Sequence, residues 1–220
     1  GESHRGIETI TYFLRGSGMH EDSMGNNGVI SAGELQWMSA GSGIYHQEMP
    51  QTSKDGYQGF QFWLNLPQKD KMKSPEYQYI NNGEMKSVSE TGSVVRVISG
   101  RYDGVTGPID KASLDVTMLH VSLDAGKSIT LERGAQENGF MFVFEGSGSI
   151  DGQDVGATAG YTLDAGQIEV SASEPMEFIF AQGRPLNEPI AWGGPIVMNT
   201  REELQTAFDE LEKRTFIKQR

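Results

Sequence analysis

Thr9-Ile10-Thr11-Tyr12-Phe13-Leu14 is the stretch from which the fold is read. Its β-branched and aromatic residues suit a pleated, half-buried strand, and Gly16 and Gly18 close it. The same texture recurs outward from it. Gly25-Asn-Asn-Gly28 reads as a tight turn into Val29-Ile30. Ala32-Gly33 leads into Leu35-Gln-Trp-Met38, and Gly41 and Gly43 bend the chain ahead of Ile44-Tyr-His46. Phe60-Gln-Phe-Trp-Leu-Asn-Leu66 partly alternates apolar and polar residues, as a strand with one face in a core does. Glycine, at 28 of 220 residues, falls at the short intervals expected of a β-protein.

From Pro67 to Gly92 the sequence turns polar and loses its period, which reads as a connector. Strand texture then resumes in Val94-Val-Arg-Val-Ile98, Leu119-His-Val-Ser-Leu123, Phe140-Met-Phe-Val-Phe144, Tyr161-Thr-Leu163 and Met176-Glu-Phe-Ile-Phe180. Ser31-Ala-Gly33-Glu-Leu35 and Asp164-Ala-Gly166-Gln-Ile168 introduce a strand in the same way in each half. Two weakly similar antiparallel β-barrels or sandwiches fit this better than one long sheet. Only the tail is helical: Thr200 caps with Glu203 three residues on, and Leu204, Ala207, Phe208 and Leu211 form one apolar stripe. The expected division is a first domain over 1–66, a connector over 67–92, a second domain over 93–198, and a helix with tail over 199–220.

Composition removes several function classes. Eighteen Lys and Arg against 30 Asp and Glu give a formal net charge of −12. That argues against a nucleic-acid backbone or an anionic membrane as partner. No cysteine is present, so disulfides, thiolate zinc sites and cysteine nucleophiles are excluded, and a reducing cytoplasm is the expected location. No apolar run approaches the roughly 20 residues of a membrane span, and Gly1-Glu-Ser-His-Arg5 is not a signal peptide.

Chemistry concentrates in two pairs, Glu2-Ser-His4 and His46-Gln-Glu48, which hold two of the four histidines. Side chains two apart on a strand share a face. Two neighbouring strands would therefore aim two imidazoles and two carboxylates into one pocket. That donor mix suits a divalent transition metal, with Fe(II) foremost because two His and a carboxylate leave positions open for substrate and oxygen. Solvent-facing polar residues at strand ends are the plain alternative. Glu8, four residues after His4, is a residue supporting the ligands or a substitute ligand if one strand carries both. His20, in His20-Glu-Asp22, reads as a hydrogen-bonded loop or rim residue. His120 reads as a structural or surface histidine. Trp37, Met38 and Phe62 read as core, with one or two available to line a pocket.

Several blocks together resemble the pirin family of the cupin superfamily. They are His4-Arg-Gly-Ile-Glu-Thr-Ile-Thr-Tyr12, His20-Glu-Asp-Ser23, Leu35-Gln-Trp-Met38, Ala40-Gly-Ser-Gly-Ile44 with His46-Gln-Glu-Met-Pro50, and Gly194-Pro-Ile-Val-Met-Asn-Thr200. They run in order along nearly the whole chain. The resemblance implies an all-β bicupin, two antiparallel cupin β-barrels with a short C-terminal helix. It also implies a metal in the N-terminal cupin and a metal-free C-terminal one. The metal would be Fe(II), with Mn, Ni, Cu, Zn or Co as other divalent candidates. The family's ligands are His-x-His and His-x-Glu. Carried over, these fall on His4, His46 and Glu48, while the first His falls on Glu2. Either that carboxylate ligates, making an iron(II) site formally neutral with a lower potential and weaker Lewis acidity, or water takes its place. The resemblance further implies strands ahead of the first motif, so the N-terminal cupin is expected to lack its opening strands.

The implied activity is quercetin 2,3-dioxygenase-type cleavage of a flavonol by O2, releasing carbon monoxide, with Glu48 as the base and Arg5 orienting substrate or pairing with a carboxylate. The competing reading is a metal-dependent, redox-sensitive regulator that docks on a protein partner without direct nucleic-acid binding. A degenerate cupin without metal is the third.

Overall fold

The computed structural model of the protein describes residues 1–51, 54 and 56–218. The chain forms two compact units, one from Gly1–Asn82, Lys111–Leu114 and Leu186–Arg220, the other from Gly83–Asp110 and Asp115–Pro185.

The first unit contains β1 (Glu2–His4), β2 (Ile7–Arg15), β3 (Ser17–Asp22), β4 (Asn27–Ser31), β5 (Leu35–Ser39), β6 (Ile44–Gln51), β7 (Gln58–Asn65) and β8 (Glu76–Ile80). They form two four-stranded antiparallel sheets, ordered β1-β6-β3-β4 and β7-β2-β5-β8. Residues Ile7 to Phe13 of β2 are all buried, so this strand is covered on both faces. Thr11 meets Glu48 of the other sheet, while Glu8 meets Trp37 on the opposite side. Trp37 and Met38 are fully buried, as expected for core. Phe62 is only half-buried and stacks on Phe60.

The second unit contains β9 (Lys86–Glu90), β10 (Ser93–Ser99), a hairpin of β11 (Arg101–Tyr102) and β12 (Val105–Thr106), β13 (Val116–Leu123), β14 (Ser128–Arg133), β15 (Asn138–Glu145), β16 (Ser147–Ile150), β17 (Gln153–Gly156), β18 (Ala159–Thr162), β19 (Gly166–Ala172) and β20 (Met176–Gly183). A six-stranded sheet, β18-β15-β20-β13-β10-β9, accompanies a four-stranded one, β14-β19-β16-β17. Apolar side chains from both, Val95, Leu119, Leu131, Met141, Ile168, Val170 and Phe178 among them, make one core. His120 points away from that core, buried on β13 and bonded to Glu177 at 3.2 Å.

The bicupin expectation holds, with one correction of form. Each unit is a jelly-roll-like pair of open sheets and not a closed barrel. The 67–92 connector is also corrected. Glu76–Ile80 adds to β5 in the first unit, and Lys86–Glu90 pairs with β10 in the second. Both strands are short and polar on their outer side, which hides their period. Likewise the second unit stops at Pro185 and not at 198. Residues beyond it return to the first unit as a ribbon of β21 (Ala191–Gly193) and β22 (Ile196–Met198), followed by helix α1 (Arg201–Glu212).

The helix begins where the sequence says. Thr200 Oγ1 accepts from the Glu203 amide, and the Glu203 carboxylate accepts from the Thr200 amide, a complete capping box. Ala207 and Phe216 are fully buried against Ile196 and Met198, with Leu204 and Leu211 alongside. Phe208 is 37% exposed, so the stripe is anchored by a small residue and by the tail and not by its largest ring. No helix among the described residues is long and apolar enough to cross a membrane.

Candidate metal centre

β6 is the organising strand. Its register sets Glu2 of β1 and Asp22 of β3 on either side of His46, and His20 of β3 beside Glu48. Because residues two apart share a face, Glu2, His4, His20, Asp22, His46 and Glu48 all belong to one face of three adjacent strands. Thr11, Gln36 and Gln61 meet them from the other sheet.

The histidine rings lie close together and tilted to one another, at 50° and 46°. The His4 and His46 ring centres are 4.6 Å apart, and those of His46 and His20 are 5.7 Å apart. Trp63 stands edge-on to His4 at 5.4 Å, and Tyr77 stacks on His20 at 4.9 Å. His4 Nδ1 lies 3.2 Å from the Pro195 carbonyl oxygen. A carbonyl only accepts, so Nδ1 carries the hydrogen and Nε2 presents a lone pair. That lone pair faces Glu2 Oε2 at 3.4 Å.

A proton or a metal ion between these two atoms would pair them. At His46 neither ring nitrogen has a hydrogen-bond partner although both are buried. Burial, with His4 and His20 nearby, pushes the His46 imidazole down to about 3, and burial likewise lowers His4. Both rings are therefore neutral at pH 7, the form that binds a metal. Burial raises the Glu48 carboxyl, against the hydrogen bonds that hold it. Thr11 Oγ1 donates to Glu48 Oε1 at 3.0 Å, Gln61 Nε2 donates to Oε2 at 2.8 Å, and Gln36 Nε2 also donates to Oε1.

The donors fall into two groups that share His46: Glu2, His4 and His46, and His20, His46 and Glu48, each with its ligand atoms within 4.8 Å of one another. Buried, unpartnered imidazole nitrogens beside carboxylate oxygens fit a divalent transition metal. All four residues expected from the sequence lie here, but Glu2 keeps 63% of its side chain exposed. His20 is the residue the sequence reading misplaced. It is fully buried within a strand and not on a loop or rim, and its signal was the His20-x-Asp22 spacing, the same as His46-x-Glu48.

Glu8 is not at the centre. Gly6 breaks the strand at φ +76°, where a Cβ would come within 2.0 Å of the Val197 carbonyl oxygen. His4 and Glu8 therefore sit in different sheets. Glu8 accepts instead from Trp37 Nε1, Lys73 Nζ and the Ser113 amide. Arg5 is also structural, donating through Nε to Ser42 O and through Nη2 to Glu210 Oε2 and Phe216 O.

A cavity of about 230 Å³ opens beside Glu48, lined by Phe13, Met19, Ile30, Met49 and Phe60 among others. A larger one of about 570 Å³ lies in the second unit, walled by Glu90, Arg101, Glu132, Glu137 and Gln167 and floored by Leu119 and Phe180. Its lining among the described residues holds no histidine, so size and metal chemistry part company here.

Two jelly-roll units, the first with a histidine–carboxylate cluster between its sheets, define a bicupin. Residues 2–64 match the Pirin family and residues 118–217 match the Pirin C-terminal cupin domain, and the chain belongs to the pirin family. A Thermoplasma acidophilum protein provisionally named a quercetin 2,3-dioxygenase is 36% identical over 238 residues, covering 99% of this chain and 91% of that protein. A quercetin 2,3-dioxygenase from Acinetobacter baumannii shares the fold with a TM-score of 0.92 and 31% identity, over 98% of this chain and 77% of that one. The bacterial pirin YhhW from Escherichia coli, solved in complex with nickel(II), shares the fold with a TM-score of 0.67 at 24% identity, over 84% of this chain and 75% of that one.

Proposed function

We propose that this pirin-family protein is a non-haem-iron enzyme that cleaves flavonols in the manner of a quercetin 2,3-dioxygenase, with O2 as co-substrate. The carrying observation is His46, whose two ring nitrogens are buried and unpartnered between carboxylates. In this reading His4, His46 and Glu48 hold the metal, with Glu2 at the position of the family's remaining ligand. Fe(II) is the proposed ion because open positions beside His and carboxylate donors suit oxygen chemistry. The relatives named as quercetin dioxygenases supply the substrate class.

When bound, the metal acts as a Lewis acid toward the flavonol 3-oxygen. The chain's own residues do the rest. Glu48, its carboxyl raised by burial, takes the 3-hydroxyl proton as base. Thr11, Gln36 and Gln61 hold its two oxygens in place, and Trp63 Nε1 donates to Gln61 Oε1 at 2.9 Å to fix that amide in turn. The apolar cavity beside Glu48 is smaller than the roughly 300–1,000 Å³ of drug-sized sites. It takes one ring of a flat polyphenol, with the remainder in its open mouth.

The test is elemental analysis of the purified protein, then anaerobic flavonol addition followed by oxygen. Metal near one equivalent, a shifted flavonol absorption band and carbon monoxide on admitting O2 are expected. A metal-loaded protein that leaves the flavonol spectrum and the flavonol itself unchanged would refute the enzyme and leave the regulator reading, in which the loaded protein docks on a partner.

A further inference from the structure

We propose that His20 is a ligand of the bound metal in this chain, supplying with His46 and Glu48 the imidazole that the first motif lacks at Glu2. This rests on the reading that the cluster binds a transition metal.

His20 is fully buried, and β3 holds it directly beside Glu48 on β6. Its Nε2 lies 3.1 Å from Asp22 Oδ2. Asp22 is itself fixed, accepting from the Met24 amide at 2.9 Å, the Asn26 amide at 3.0 Å and Asn26 Nδ2 at 2.8 Å. A carboxylate that takes the hydrogen of one ring nitrogen sets the tautomer and aims the other lone pair, the arrangement that orients metal-binding histidines. Here the aimed atom is Nδ1, and it faces Glu48 Oε1 at 4.0 Å. Tyr77, stacked at an interplanar angle of 20°, fixes the plane of the ring.

Between those two acceptors lies the Gln36 amide nitrogen. It is 3.3 Å from His20 Nδ1 and donates to Glu48 Oε1 as well. One partly positive group thus bridges the lone pairs that a cation would bridge. Its own carbonyl oxygen is buried without a partner, so turning the amide aside breaks no bond there. His20, His46 and Glu48 present two imidazoles and one carboxylate with ligand atoms within 4.8 Å, which is the donor set of a facial triad with open positions. Glu2, by contrast, is mostly in water.

The experiment loads the full chain with Cu(II) as probe, counts coordinated imidazoles by pulsed EPR, and measures affinity by competition. The parent should show at least two coordinated imidazoles, His20 and His46 among them. His20→Gln should show one fewer and bind at least about tenfold more weakly, while Glu2→Ala keeps the parent count. A parent with fewer than two imidazoles overturns the proposal without reference to any variant. So does a folded His20→Gln protein with parent count and affinity, provided His46→Ala loses the metal. His20 would then act only on Glu48, through Gln36. A parent that binds no Cu(II), Fe(II) or Ni(II) refutes the metal reading itself, and this proposal with it.

Discussion

His46 Nδ1 and Glu48 Oε1 stand 3.9 Å apart on one strand, and the ring nitrogen makes no hydrogen bond. The gap is too long for one. It lies within reach of two donors to a single cation, since ligand bonds of about 2.1 Å each span at most about 4.2 Å. His46→Ala should therefore remove most bound metal. His120→Ala should leave it unchanged, because His120 lies in the other unit against Glu177. Elemental analysis of both variants decides this, and equal metal in the two would be incompatible with the assignment.

Position 2 can be tuned. Imidazole suits late divalent metals better than carboxylate does, so Glu2→His should strengthen Ni(II) and Cu(II) binding by about tenfold or more, roughly 1.4 kcal/mol per decade. Competitive titration measures it. Unchanged affinity would mean that the exposed start of β1 does not reach the ion.

The pH dependence of the metal-free protein follows from His46. Its folded value of about 3 lies below the ordinary 6.5, so between these values the unfolded chain binds the extra proton. Stability is then complete above about pH 6.5 and falls as the pH drops toward 3. Between pH 7 and pH 5 the parent should lose stability relative to His46→Gln, a comparison in which groups common to both cancel. Denaturant titrations at the two pH values check it, and parallel losses would show that the ring is not buried neutral.

Lys71 is buried and donates to Gly6 O at 2.9 Å, Val197 O at 2.8 Å and Asn65 Oδ1 at 2.6 Å. It ties the β1–β2 corner to β22. Lys71→Met keeps the bulk but strips the donors, and should cost about 2–4 kcal/mol, since each buried acceptor left unpaired loses its compensation. A denaturation midpoint equal to the parent's would contradict this.

The tail docks through Phe216, which is fully buried under the Arg5 guanidinium at 4.2 Å. Phe216→Ala should destabilise by about 3–5 kcal/mol through the cavity it leaves. Thermal melting would show it. Phe208→Ala, at a ring 37% exposed, should cost far less.

What could be read in advance divides along physical lines. Thr200 and Glu203 specify their cap within four residues, so the helix start is local information and was legible. Glu2, His4, His46 and Glu48 were legible because a two-residue spacing fixes a shared face on any strand. His20 follows the same rule, yet the glycines before it suggest a loop, and only the pairing of β3 with β6 puts it beside Glu48. Glu8 failed for the opposite reason: the break at Gly6 answers to the Val197 carbonyl, almost two hundred residues on. The polar strands at 76–80 and 86–90 take their places from partners and not from their own composition.

The grip on Arg5 carries a consequence for how the protein is made. Its guanidinium is held by Glu210 and by the Phe216 carbonyl, 211 positions along the chain. At about 5–20 residues per second, Arg5 waits roughly 10–40 s on the ribosome before these partners exist. The β1–β2 corner it holds is therefore closed last, long after β6, the sheet partner of β1, has been made.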